Sequence, residues 1–480
     1  MNSSRESGTG QPLNLLITGA EVDGRRMDVR LRDRAVRAMG PSLAPTPDET
    51  VVEARGGALL PGLHDHHLHL LSLAAAGRSV ICGPPTVRTE VELRAALRHE
   101  AARSARGSWI RGIGYTESVA GRLDRWTLDR LVADRPVRLQ HRGGALWILN
   151  SLAVERVADG LESSPDVERT SAGQLTGRLF RYDARLRRLL GDEAMPDLTD
   201  VGQQLAELGV TGVTDASPEL QSSALTSLTT AVEERRLPQR VQLLGAPDSA
   251  VLPRRMTHGP WKLHLHDHDL PGLDELVTMV AAARDVGRAV AVHCVTLESI
   301  LLTVVALESA GGPIMGDRIE HGAVIPTELH QRLAKHRLVV VTQPSFVADR
   351  GDDYLADVDA RDQAFLYPYA SLLAAGVRVA PSSDAPFGEL DPWRTLRTAR
   401  ERRTLSGGRL GEEEQVHPAT TLAGFLSPLE APGGPPRVVR PGAPADVCLM
   451  HEPLAATLDD PSSERVRLVV ADGELVAGSG

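Results

Sequence analysis

Two textures of apolar and polar positions divide the chain. Between residues 13 and 60, short apolar runs alternate with polar residues at 13–17, 27–31, 36–39 and 50–54, separated by Gly, Pro and Asp. A period of two is the mark of a half-buried strand. The same texture returns at 445–450, 466–471 and 474–476. Chain ends often lie close together in a folded protein, so these segments predict one small antiparallel β-sandwich built from both ends. Between them the pattern changes. Continuous apolar runs stand at 109–113, 137–140, 209–214, 240–244, 261–265, 289–293, 318–321, 338–341 and 377–380, with helical stretches such as 94–104 and 128–133 among them. Strands apolar on both faces belong to a parallel sheet covered by helices. Roughly 370 residues of this alternation fit a (β/α)8 TIM-like barrel with insertions. The alternative is an open doubly wound sheet, but no GxGxxG follows the first strand. The expected organisation is α/β. Residues 1–60 supply the N-terminal part of the sandwich, 61–436 the barrel and 437–480 the C-terminal part of the sandwich.

Composition narrows the class. A chain of 480 residues is long for one core, and 42% hydrophobic with 24% charged residues is the balance of a soluble globular protein. A net charge of -10 argues against non-specific nucleic-acid binding. Cys82, Cys294 and Cys448 form no close pairs, which argues against a disulfide framework or a cysteine-based zinc ribbon. Met1–Pro12 has no apolar core of a secretory signal, and no run is long enough to span a bilayer. A cytoplasmic protein is the expectation. Lysine occurs only twice, at Lys262 and Lys335, so a lysine at a chemically demanding position carries weight.

The run Pro61-Gly62-Leu63-His64-Asp65-His66-His67-Leu68-His69 packs four of the sixteen histidines into six residues, directly after Ala58-Leu59-Leu60. On a strand, Asp65, His67 and His69 face one way and His64 and His66 the other. Residues two apart are separated by about 7 Å at Cα, within reach of one metal ion. The plain alternative is a solvated His-rich loop. In a parallel barrel the active site lies at the C-terminal strand ends. Titratable residues stand there in series: Lys262 in the run after Pro260, His293, His321, and Asp384 just past 377–381. Each alone reads as readily as a structural residue. The series is hard to obtain by accident.

These pieces, Pro61-Gly62-x-x-Asp65-x-His67-x-His69, Lys262, His293, Arg318-Ile319-Glu320-His321 and Ser383-Asp384-Ala385-Pro386, make the chain resemble the amidohydrolase superfamily. It is most similar to the branch that contains N-substituted formamide deformylases, amidohydrolase family 3. Further matching pieces are Trp109-Ile110-Arg111-Gly112-Ile113-Gly114-Tyr115, Asn150-Ser151-Leu152-Ala153, Leu175-Thr176-Gly177 and Arg440-Pro441-Gly442-Ala443-Pro444-Ala445-Asp446. The resemblance covers about residues 14 to 476. It implies a distorted barrel with a sandwich formed by both ends. It implies one or two divalent metal ions, zinc first among them, with His67 and His69 on one ion and His293 and His321 on the other. Lys262, carboxylated by carbon dioxide, would bridge them, and Asp384 would bind metal and handle a proton. The partner implied is a small-molecule substrate, with no nucleic acid or membrane, and self-association is a habit of the family.

Other residues stay open at this stage. Lys262 also reads as a solvent-facing strand residue, and Asp384 as a helix N-cap before Pro386. Asp65 is expected to orient a ligand imidazole. His264 and His266 share the parity of Lys262 and could add a ligand, reach substrate, or sit in solvent. His141, Arg142 and Tyr115 are candidates to meet substrate, and Cys294 should turn away from the site into packing. The chemistry implied is hydrolysis of a non-peptide C–N bond, in a linear or cyclic amide, by metal-activated hydroxide. A deaminase or another reaction on the same metal scaffold is the alternative. A non-catalytic scaffold protein predicts missing ligands, and none of the six positions is missing.

Overall fold

The computed structural model describes residues 13–105, 107–190 and 195–478, the side chain of Ala184 excepted. The polar Met1–Pro12 stretch lies outside them. The chain forms two compact units: Met1–Leu70 with Asp197–Gly480, and Leu71–Pro196.

Two parallel sheets dominate the first unit. One orders Met256–His258, Arg240–Leu243, Val210–Asp215 and Leu63–Leu68; the other orders Trp261–Leu263, Val290–Cys294, Arg318–His321, Val339–Thr342 and Arg378–Pro381. Arg318–His321 and Val339–Thr342 are buried along their whole length, as their position inside the sheet requires. Helices return the chain between strands. Leu273–Asp285, Leu297–Ser309 and Thr327–Lys335 lay Leu276, Val280, Ile300, Val304 and Leu333 against Val292, Ile319 and Val340 in one apolar core. Burying each such side chain contributes about 1.5–3 kcal/mol. Thr296 starts the Leu297–Ser309 helix with a capping box shared with Ser299. Backbone hydrogen bonds also join strands beyond the regular ladders. Asp384 N–H donates to the His67 carbonyl at 2.8 Å and His69 N–H to Ala385 at 2.9 Å, so the chain after Arg378–Pro381 lies along the end of Leu63–Leu68. Lys262 N–H reaches the Leu244 carbonyl at 3.3 Å.

The two ends of the chain form two four-stranded sheets. One orders Ala35–Gly40, Arg25–Arg32, Leu15–Val22 and Thr50–Glu53; the other orders Glu474–Gly478, Val466–Ala471, Val447–Met450 and Leu59–Pro61. Leu15, Ile17, Val29 and Leu31 share a core with Val447, Leu449, Leu468 and Val470. The ends also interlock, because Leu59–Pro61 pairs antiparallel with Val447–Met450. One pairing departs from the expected antiparallel pattern: Thr50–Glu53 runs parallel to Leu15–Val22.

The second unit carries a six-stranded mixed sheet ordered Val167–Arg169, Leu175–Phe180, Leu146–Leu149, Val137–His141, Ile110–Tyr115 and Val80–Ile81. The runs at 109–113 and 137–140, which the sequence places in the barrel series, belong here. Helices cover this sheet too, with Leu93, Leu97, Leu128 and Leu131 packed on Ile110, Leu139 and Ile148. Its strands therefore show the same two-faced apolar pattern as barrel strands. Periodicity reports burial, not sheet membership.

Candidate metal centre

Strand ends of the first unit bring the expected ligands together. His67 and His69 come from the end of Leu63–Leu68, His293 from Val290–Cys294, His321 from Arg318–His321, and Asp384 from just past Arg378–Pro381. One donor atom from each of His67, His69 and Asp384 lies within 4.8 Å of the other two. Asp384 Oδ1 is 3.3 Å from His69 Nε2 and 3.5 Å from His67 Nε2, and Oδ2 is 3.9 Å from His321 Nδ1. The imidazoles continue as a row. Ring centroids are 4.8 Å apart for His67 and His321, 4.5 Å for His321 and His293, and 4.6 Å for His293 and His264. His321 and Asp384 both hold positive φ angles, +68° and +54°. Non-glycine residues in this region carry strain of order 1–3 kcal/mol and persist where the surroundings fix them.

Neighbouring strands hold the ligand rings. Glu320 accepts from Nδ1 of His67, and Arg318 Nε donates to the other oxygen of Glu320. Nδ1 of His321 donates to Gln343 Oε1 at 2.9 Å, and the Gln343 amide donates to Ser382 Oγ at 3.0 Å. Each bond fixes the tautomer that turns Nε2 outward as a donor for a metal. The carboxylate on the His67 ring is thus Glu320, not the expected Asp65. Asp65 is aimed at backbone instead, accepting from His67 N–H at 3.1 Å and Ser383 N–H at 3.2 Å. It ties the two ligand-bearing segments together. Burial pushes its pKa up to about 6.

Burial drives the pKa values of His67, His293 and His321 well below the usual imidazole value. The neighbouring charge of Lys262 adds to this at all three rings. Neutral imidazole is the form that binds metal. Burial works to raise the pKa of Asp384, but the nearby rings of His69 and His67 outweigh it and hold the carboxyl below its ordinary value. Burial also lowers the pKa of Lys262. Three buried atoms here have no hydrogen-bond partner: His67 Nε2, Lys262 Nζ and Asp384 Oδ1. Buried polar atoms are normally paired. The His67 and Asp384 donors, 3.5 Å apart with His69 beside them, fit a divalent transition-metal ion.

The remaining candidates fall elsewhere, except His264, whose ring ends the imidazole row beside His293. His64 and His66 face away, as strand parity requires, with Nδ1 and Nε2 donating to the carbonyls of Ser427 and Gly424, each at 3.1 Å. Cys294 packs toward Thr303, its sulfur 3.3 Å from the hydroxyl. His264 and His266 are exposed, their rings 4.8 Å apart. His141, Arg142 and Tyr115 belong to the Leu71–Pro196 unit. His141 bonds Glu117 at 3.0 Å, and Arg142 N–H donates to the Tyr115 carbonyl. Tyr115 is wholly buried and its hydroxyl donates to Gly121 O, so it fills a core rather than offering a polar atom to substrate. Glu320 and Gln343 are the residues that sequence reasoning missed as ring holders. Their only signal is a position at the end of a strand beside a ligand strand.

Comparison with known proteins bears on the family and the fold. The model of the Amidohydrolase family matches residues 50–477. The chain is 25% identical over 467 residues to N-substituted formamide deformylase of Arthrobacter pascens, across 86% of this chain and 85% of that one. Two uncharacterized metal-dependent hydrolases of known structure share the fold. That of Pyrococcus horikoshii has a TM-score of 0.70 at 19% identity, covering 96% of this chain and 99% of its own. That of Pyrococcus furiosus has a TM-score of 0.68 at 20% identity, covering 91% and 97%. The shared architecture is an α/β, TIM-barrel-like one.

Proposed function

The chain belongs to the amidohydrolase family, and on that premise we propose a metal-dependent hydrolase that cleaves a non-peptide C–N bond, in a linear or cyclic amide. The carrying observation is the convergence of His67, His69 and Asp384 donors on one place, with His67 Nε2 and Asp384 Oδ1 buried and unpaired. On this reading the two parallel sheets act as one distorted (β/α)8 TIM-like barrel within 61–436, a range whose Leu71–Pro196 stretch is the second unit, and the end sheets as a sandwich formed by 1–60 and 437–480. His67 and His69 would hold one divalent ion and His293 and His321 a second, with zinc among the first-row metals that imidazole suits. When bound, such an ion polarises a carbonyl and brings the pKa of a water toward neutrality.

The chain's own groups do the rest. Glu320 and Gln343 keep the His67 and His321 rings turned for binding. Asp384, held ionised, takes the proton of the attacking water and returns it to the leaving nitrogen. Lys262, whose amine burial favours in its uncharged form, can add to carbon dioxide and release a proton. The carbamate would be an anion, and Lys262 would then add a negative oxygen ligand to the residues that hold the metal. The three described cysteines are buried and unpaired, which fits a reducing compartment such as the cytoplasm. Among the described residues, no helix is long and apolar enough to cross a membrane.

The test is turnover by the metal-loaded protein of a panel of N-formyl, N-acyl and cyclic amides, with free amine as the readout. Hydrolysis of at least one class is expected. Ammonia release from amino-substituted heterocycles, with every amide inert, would favour the deaminase reading instead.

A further inference from the structure

Among the described residues, Arg350 makes no direct ion pair, although it lies beside the candidate metal centre. It lies on the Ser345–Asp357 helix, which follows the Val339–Thr342 strand. Its guanidinium sits 4.0 Å from the ring centroid of the buried Phe346, and Nη2 donates to the Phe387 carbonyl at 2.6 Å. Phe387 in turn packs its ring on that of His69, with centroids 5.5 Å apart. Arg350 is therefore fixed from two sides, one residue removed from a ligand ring. Its charge is also felt at Asp384.

What Arg350 lacks is a carboxylate. Among the described residues, none lies within ion-pairing distance of it, and the Phe387 carbonyl is its one hydrogen-bond acceptor. The acids nearby are taken: Arg394 pairs with Asp349 at 3.0 Å and also with Glu389. A guanidinium carries five N–H donors in a fixed fork. Nε and Nη1 of Arg350 are not among the sealed, partnerless atoms, so they stay accessible. A guanidinium fixed in this way keeps the rest of its fork turned to solvent and available to a ligand.

Resting on the amide hydrolase reading above, we propose that Arg350 binds a carboxylate of the substrate, so that the substrates are amides bearing an anionic group. A planar guanidinium matches a carboxylate through two parallel hydrogen bonds. Beside Asp384, such an anchor would place the scissile amide a fixed distance from the metal ligands. It also distinguishes the expected substrates from simple neutral formamides.

The experiment uses the full, metal-loaded chain and pairs of substrates: N-formyl and N-acyl amino acids against the corresponding neutral amino-acid carboxamides. The expected result is a preference for the carboxylate member of about 10- to 100-fold in kcat/KM, expressed mainly in KM. In Arg350→Gln that preference should collapse toward one, while Arg350→Lys should keep part of it. Equal use of both members by the wild type, or a preference that survives in Arg350→Gln, overturns the assignment. Calorimetric binding of the N-acyl amino acids reads Arg350 without turnover. Binding weakened by a similar factor in Arg350→Gln supports the anchor even if no amide is cleaved, in which case the amide reading fails alone. Equal binding by both proteins overturns the anchor itself.

Discussion

At the scale of single residues, the candidate centre is a set of donors held by neighbours. His67, His69, His293, His321 and Asp384 were legible in the sequence because each is a titratable residue where an apolar run stops. Their holders were not. Glu320 fixes the His67 ring from 253 positions away in the chain, and only the order of strands in space makes them adjacent. For the same reason the sequence put Asp65 on a ring when it serves backbone. We predict that Glu320→Gln weakens metal binding by about 10- to 100-fold, read by competition with a chelating dye, without loss of the folded state. Unchanged affinity would mean that the ring needs no carboxylate. Lys262→Ala should lose most activity and regain part of it when carbon dioxide and a short carboxylic acid are supplied together. Full activity without them would remove the bridging carbamate.

At the scale of elements, the Leu63–Leu68 strand shows how far parity carries. It placed His67 and His69 toward the ligands and His64 and His66 away, as the structure has them. Which apolar runs share a sheet was beyond it, as 109–113 and 137–140 show. The strand also predicts a pH response. Burial lowers the pKa of His66 to about 3 and that of His64 well below the usual value. Such a group takes up a proton more readily when unfolded, so stability falls as pH drops below about 6.5. The slope approaches about 1.4 kcal/mol per pH unit for each such histidine. Asp65, raised to about 6, opposes this with one group against several buried imidazoles. Thermal melts of the metal-free protein should therefore show a lower midpoint at pH 5 than at pH 7. A flat profile would contradict the buried neutral rings. Packing behind the strand is close: a Cβ at Gly212 would come within 2.5 Å of His64 Cδ2. Gly212→Ala should then cost about 1–3 kcal/mol in denaturant titrations. Its metal stoichiometry should be unaltered, because His64 is not a ligand.

At the scale of the whole molecule, the two ends depend on each other. Their alternating patterns announced a joint β-structure, and the shared core of Leu15, Ile17, Val447 and Val470 is its physical form. The parallel pairing of Thr50–Glu53 gave no local sign, because alternation is the same for either strand direction. Removing residues 437–480 should leave the N-terminal sheet with half its core exposed. The truncated chain is expected to aggregate or lose its cooperative melt, and a soluble truncation with the full melting temperature would refute the shared core. The central claim concerns the donors on the barrel-like sheets. It is tested most directly by the rate of amide hydrolysis in one preparation before chelation, after removal of bound metal, and after zinc is restored. The account predicts activity that disappears with the metal and returns with it in step with the zinc bound. Undiminished hydrolysis by protein shown to be metal-free would contradict it.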